Sequence, residues 1–432
     1  MAKKNVFIVG LDAFNKQKLE NLPQAKECNF HAALDITDIR NVDHFDMKKL
    51  IDKAIRTLET FDGTVDGVTC YYDFPATDIV PILAEHFNLP GPNLESIMKC
   101  ENKYWSRIEQ HKVIPDHIPL FQAFDPFDEQ VFHQIDLLPP YWIKPIKSFR
   151  SFLAYRINGE RQFNDAMQEV RQHIDLIGAP FKYLMERFDM PAEIAQWSEG
   201  MIAETPINGF QCTLEGYVYN GRVTGYGIVD SIREGDRSSF ARYEYPSSLP
   251  LEIEHRMIDV AREAITQIGL DNSPFNIEFF YNQTVDDVYL LEINPRISQA
   301  HTDIFEKVHG TSHHSIAVDL ALGRKPRTME KRGKFNIAGH FMLRTYEDGR
   351  VKKVPTVQEI KGLAERIPGT YVKVPVKSGQ YLRDLNGQDS YSYEIANVFI
   401  GGRDQSDILE KYDQCLQHLT FEIETDRHAE IH

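Results

Sequence analysis

The chain has 432 residues, 42% of them hydrophobic and 26% charged. This is the composition of a globular protein, at a length that calls for about three domains. A net charge of −16 argues against nucleic acid or an anionic membrane as the main partner. Any phosphate ligand must therefore be held by local Lys, Arg and backbone amides.

The start reads Asn5-Val6-Phe7-Ile8-Val9-Gly10, an apolar run too short for a signal peptide or membrane span and suited to the first strand of a parallel sheet. Gly67 to Tyr72 reads as another strand and Ile79 to Phe87 as the helix after it. With no GxGxxG, a dinucleotide role has little support. This first domain is placed at 1–115, closing after a helix with Asn102, Lys103, Tyr104 and Arg107. Residues 116–207 have a different texture, a small α+β unit. Pro139 to Pro145 is a strand closed by proline, Phe152 to Ile157 its partner, and 162–173 a helix.

In 208–330 the strands Cys212–Tyr219 and Val223–Val229 are joined by Asn220-Gly221, a hairpin turn. A helix follows with Ile253, Met257, Ala261, Ile265 and Ile268 on one stripe and Gly269 at its end. A further helix at about 312–322 ends at Gly323. Residues 331–432 alternate short strands with Gly and Pro turns and finish in a helix near 404–418. The five cysteines (Cys28, Cys70, Cys100, Cys212 and Cys415) are scattered without a CxxC pair. They read as reduced, buried thiols of a cytoplasmic protein rather than a disulfide or zinc framework. His301, His309, His313 and His314 lack metal-ligand spacing and read as helix and surface histidines.

The most informative stretch is Phe275-Asn276-Ile277-Glu278-Phe279-Phe280-Tyr281 followed by Tyr289-Leu290-Leu291-Glu292-Ile293-Asn294-Pro295-Arg296. Each apolar strand carries one acid, and a turn centred near Val285 sets Glu278 opposite Glu292. Directly opposed like charges destabilise a sheet, and carboxylates among Phe, Ile and Leu are costly to bury unpaired. A hard divalent cation between them removes both costs. Asn294, two residues on, adds a third oxygen from the same face. Arg296 supplies a planar fork that matches phosphate. An amphipathic surface hairpin would instead show polar residues at alternate positions, which these strands lack.

On these residues the chain resembles the ATP-grasp superfamily of carboxylate–amine and carboxylate–thiol ligases, nearest in look to amino-acid (dipeptide) ligases and the biotin carboxylase branch. Gly91-Pro92 with Asn102-Lys103 and Arg107 is similar to the segment closing the family's N-terminal domain, and Ile143-Lys144-Pro145 to its lid strand with a phosphate-binding lysine. Ile202-Ala203-Glu204, followed by Gly209 to Gly216, resembles the hinge holding adenine and ribose. Glu278 and Glu292 to Arg296 resemble the metal strands; Ala321 to Pro326 and Gly339 to Arg344 resemble the junction into the C-terminal domain.

The resemblance implies an α/β ATP-grasp fold: a Rossmann-like N-terminal domain, an α+β lid, a central domain and a C-terminal α+β domain. It implies ATP with one or two Mg2+ ions (Mn2+ as an alternative), and small-molecule carboxylate and amine substrates in a cytoplasmic enzyme, with a homodimer possible. Lys103 and Lys144 are expected on the phosphates, Glu204 on ribose, and Glu278, Glu292 and Asn294 on the metal. Arg296 and Arg344 are expected at the transferring phosphoryl group, and Arg233 on a phosphate. One segment departs from the family. Its lid loop is usually glycine-rich, whereas Ile146-Lys147-Ser148-Phe149-Arg150-Ser151 has no glycine. The hydroxyls of Ser148 and Ser151 and the basic side chains are the expected substitutes for amide contacts. Biotin-carboxylase-like, thiol-forming and non-catalytic nucleotide-binding readings stay open.

Overall fold

A computed structural model describes residues 2–40, 46–148, 152–187, 190–197, 199–235, 237–385, 388 and 392–425. The chain divides into two compact units. The first holds residues 1–226, 249–299 and 314–328; the second holds 227–248, 300–313 and 329–432.

In the first unit, Lys4–Leu11 is the centre of a three-stranded parallel sheet between Cys28–Asp35 and Gly67–Cys70. Seven of its eight residues are buried, as expected of a parallel strand covered on both faces. The helix Ala76–His86 begins three residues before the sequence suggested. The strand Cys28–Asp35 and the helix Met47–Glu59, whose Met47, Ile51, Ala54 and Leu58 form a buried stripe, are among the elements that lacked a sequence reading.

A four-stranded antiparallel sheet follows, in the order Phe121–Phe124, Met201–Glu204, Tyr141–Pro145, Tyr155–Ile157. Tyr141 and Ile143 pack with Met201 and Ala203 and with Phe163, Met167 and Val170 of the helix Glu160–His173. Alternation then sends Lys144, Ile202 and Glu204 to the opposite face. Phe181, Leu184, Met185 and Ile194 join the N-terminal core instead of this one.

The acidic hairpin comprises Ser273–Asn282 and Asp287–Asn294, next to Phe210–Tyr219. Asn282 pairs with Asp287 and Phe279 with Leu290. Continuing that register would set Glu278 opposite Leu291. A bulge at Leu291 brings Glu292 opposite Glu278 and Asn294 opposite Asn276. The anticipated facing is thus obtained by a turn and a bulge together. Helix Leu251–Ile268 carries the expected buried stripe and ends at Gly269, whose φ of 77° is the left-handed cap that glycine adopts without a Cβ clash.

In the second unit, Phe240–Tyr245, Ile337–Thr345, Tyr393–Gly402 and Thr370–Lys373 pair antiparallel in that order. The helix Gln405–His418 packs on them through Ile408 and Cys415. All five cysteines are buried and free, as anticipated. The surface part of the histidine expectation is corrected: His301, His309, His313 and His314 are all buried, while His309 and His314 do lie in helices. Tyr245 Oη lies 2.7 Å from His309 Nε2, and Phe305 stacks against both His309 and His313. Among the described residues no helix is long and apolar enough to cross a membrane.

Candidate active site

The site residues of the first unit converge on one face of the hairpin. Across three neighbouring strands the rows read Thr213–Glu278–Glu292 and Glu215–Asn276–Asn294. Both rows are polar and lie on otherwise apolar strands. Glu278 Oε2 accepts from Gln211 Nε2 at 2.9 Å. Glu292 Oε1 accepts from Lys103 Nζ at 3.2 Å. The two acids are therefore not left to a cation alone, as the sequence suggested: an ammonium already balances one of them. Lys103 and Lys144 together hold the Glu292 carboxyl below its usual pKa, against a burial effect that pushes it up. Burial acts oppositely on Lys103, lowering its pKa, and Glu292 offsets this in part.

Lys144 forms an ion pair with Glu204 Oε2 at 2.5 Å, and Arg107 Nε meets Glu204 Oε1 at 2.6 Å. Glu204 is buried, which alone raises its pKa, yet the two cations pull it down to about 2. Arg107 also donates to the carbonyl of Leu291, the bulged residue, at 2.6 Å. One guanidinium thus links the lid strand to the bulge that sets the register of the acids. Ile202 lies on the face shared with Lys144 and Glu204. Ala203 packs in the lid core, on a strand that is paired on both sides.

Arg296 Nε donates to Asp73 Oδ1 at 2.6 Å. Asp73 follows the parallel strand Gly67–Cys70, at the carboxyl ends where ligands of open α/β sheets bind. Burial disfavours the charged guanidinium, but Asp73, and then Glu215 and Glu278, raise its pKa further. Glu215, which drew no site assignment from the sequence, is fully buried in the same row. It accepts from Asn276 Nδ2 at 2.7 Å and the Ser298 amide at 3.3 Å. A period-two count forward from Thr213 along its strand would have found it. Gln211 lies one step back on the same count, whereas Asp73 carried no comparable signal, since what places it is the tertiary fold.

The lid loop behaves differently from expectation. Ser148 is buried, and its carbonyl accepts from Lys103 Nζ at 2.7 Å. Lys147 does not stand in for a glycine-rich phosphate loop. It is buried in an ion pair with Glu101, because the ring faces of Phe74 and Phe181 enclose it. Ser151 lies outside the described residues.

Arg233 and Arg344 belong to the second unit. There they meet at Phe240, Arg233 lying 4.2 Å from its ring centroid and Arg344 Nε donating to its carbonyl at 2.9 Å. Arg344 also pairs with Glu394 at 3.3 Å and donates to Ser392 Oγ at 3.0 Å. Among the described residues no group of three or more His, Cys, Asp and Glu is arranged to hold a metal. The available donor set is two register-matched carboxylates with an amide. Hard oxygen donors of this kind suit a hard divalent cation that retains water and phosphate ligands, as Mg2+ does.

Residues 138–303 match the family described as the ATP-grasp domain. This stretch of the chain is an ATP-grasp domain. The uncharacterized protein y4rH of Sinorhizobium fredii (strain NBRC 101917 / NGR234) is 26% identical over 364 residues, which cover 81% of this chain and 68% of that protein. An L-amino acid ligase from Bacillus licheniformis superposes with a TM-score of 0.72 at 18% identity, covering 98% of this chain and 100% of that one. The biotin carboxylase domain dimer of the Hydrogenobacter thermophilus 2-oxoglutarate carboxylase, in complex with MgADP, ADP and bicarbonate, gives 0.63 at 14%, covering 98% and 92%. The chain has the ATP-grasp fold across nearly its whole length.

Proposed function

We propose that this protein is an ATP-dependent ligase that joins a small-molecule carboxylate to an amine, with amino acids as the substrate class. The carrying observation is the facing of Glu278 and Glu292, with Asn294 in the next row, beside the ammonium of Lys103 and within the field of Lys144. In this reading Lys103 and Lys144 exchange their carboxylate partners for nucleotide phosphates, and Glu204 turns from Lys144 to the ribose hydroxyls. Glu278, Glu292 and Asn294 would hold Mg2+, which when bound neutralises charge on the phosphate oxygens.

A carboxylate oxygen attacks the γ-phosphorus and ADP leaves, giving an acyl phosphate. The amine nitrogen then attacks the acyl carbon, phosphate leaves, and the amine proton passes to solvent or a nearby carboxylate. Arg296 holds the anionic oxygens through both steps, its orientation fixed by Asp73. Ser148 is assigned to the loop over the phosphates. A cytoplasmic homodimer is the working assembly.

Phosphate release from Mg-ATP, followed with a panel of amino-acid pairs, bicarbonate and thiols, tests the reading. Release that requires a carboxylate and an amine together supports it. Release with bicarbonate alone, or with a thiol in place of the amine, replaces it by a carboxylating or thiol-forming enzyme. Tight nucleotide binding without release under any combination makes the protein a nucleotide-binding regulator.

A further inference from the structure

Lys147 sits three residues beyond Lys144 in a loop without glycine, and its contacts fix the root of that loop. The corner Glu101-Asn102-Lys103, where helix Leu94–Glu101 turns into helix Lys103–His111, grips the root at three points. The Glu101 carboxylate holds the Lys147 ammonium, the Lys103 amide donates to the Ile146 carbonyl at 2.9 Å, and Lys103 Nζ donates to the Ser148 carbonyl at 2.7 Å. From the lid side the Ile146 amide donates to the Gly200 carbonyl at 3.0 Å. The ammonium lies 4.7 Å from the Phe74 centroid and 4.9 Å from that of Phe181, within cation–π range. Phe74 adjoins Asp73, the partner of Arg296.

Asp78, fully buried, faces the same charges. Burial and then Glu101 push its carboxyl well above the usual range. A buried lysine that only filled space would be better replaced by an apolar chain. What the charge adds is directionality: it fixes the loop root to the corner that carries Lys103.

We propose that Lys147 is a positioning residue, whose ion pair with Glu101 inside the Phe74–Phe181 box holds residues 146–148 against the Lys103 corner and so presets the phosphate pocket that a glycine-rich loop elsewhere forms by closing. This rests on the reading of Lys103 and Lys144 as phosphate ligands. A preset pocket spares the nucleotide the ordering of a mobile loop on binding.

The test uses the full chain as Lys147→Met/Glu101→Gln, which removes both charges without stranding either, and as Lys147→Arg, which keeps the cation. Amide hydrogen exchange over residues 146–148 is read without nucleotide, alongside melting temperature and the KM and kcat for ATP. The double variant is expected to melt close to wild type, to exchange at least about tenfold faster over 146–148, and to raise KM for ATP about tenfold with kcat within about twofold. Lys147→Arg is expected to keep both values near wild type. Unchanged exchange over 146–148, or faster exchange spread through the whole unit with unchanged KM, overturns the proposal. Should the wild type turn over no ATP, the ligase reading fails while the exchange comparison still decides the tether.

Discussion

Glu204 is the sharpest point at which charge and stability meet in this molecule. Its carboxylate is buried between Arg107 and Lys144, which depress its pKa from 4.5 to about 2. At about 1.4 kcal/mol per unit, that depression corresponds to roughly 3 kcal/mol of folding stability at neutral pH. A depressed carboxylate pKa stabilises the native state above the unfolded value. The contribution is lost as pH falls from about 4.5 through about 2. Asp78 and Asp319, whose pKa values are raised, shift stability in the opposite direction, so the wild-type acid profile alone does not isolate Glu204. The difference between wild type and Glu204→Gln does. Urea unfolding of both proteins at pH 7, 5, 4 and 3, monitored by tryptophan fluorescence, should give a gap of roughly 3 kcal/mol at pH 7 that narrows steadily below pH 5. A gap that is the same at every pH would mean that Gln fails for reasons of packing and that the charge at Glu204 contributes nothing.

Arg296→Lys should melt within a few degrees of wild type, because a lysine can still reach Asp73. Phosphate release should fall at least about a hundredfold, since an ammonium cannot present the planar fork; retained release would remove Arg296 from the chemistry. Gly216→Ala places a Cβ within van der Waals distance of Phe275 Cζ, against the edge of the ring. It should destabilise the protein by about 1–3 kcal/mol, read as a lower urea midpoint, and an unchanged midpoint would contradict the packing described for that strand pair.

The hairpin was legible because its chemistry is local. Two acids on apolar strands, a polar turn and a proline stop are all read within twenty residues, and the pairing of Glu278 with Glu292 appears as anticipated. The bulge at Leu291 that produces this pairing was not legible, and the group that holds the Leu291 carbonyl there, Arg107, comes from a helix far away in sequence. Helices with a clean apolar stripe and a glycine stop, such as Leu251–Ile268, were legible for the same local reason. The strand Cys28–Asp35 was not, because Asn29 and His31 break its apolar run and its place is set by the neighbouring strand Lys4–Leu11. Charge partners were the least accessible. Glu204, Lys144, Lys103 and Glu292 were each visible as candidates, but their mutual pairing depends on strands and helices brought together by the whole fold. Lys147 shows the limit: beside Ser148 it looks like a phosphate contact, and only the positions of Phe74, Phe181 and Glu101 reveal that it faces inward.

The claim that Glu292 belongs to a metal–nucleotide site is tested most directly by calorimetric titration of ATP into wild type and Glu292→Gln, with Mg2+ and separately with excess EDTA. Glutamine keeps the volume and removes one charge, and it also frees Lys103 from its carboxylate partner. The account predicts that Glu292→Gln weakens Mg-ATP binding by at least about tenfold, while metal-free ATP binds as tightly as to wild type or tighter. Equal affinities for Mg-ATP in the two proteins, or an equal loss with and without the metal, would contradict it.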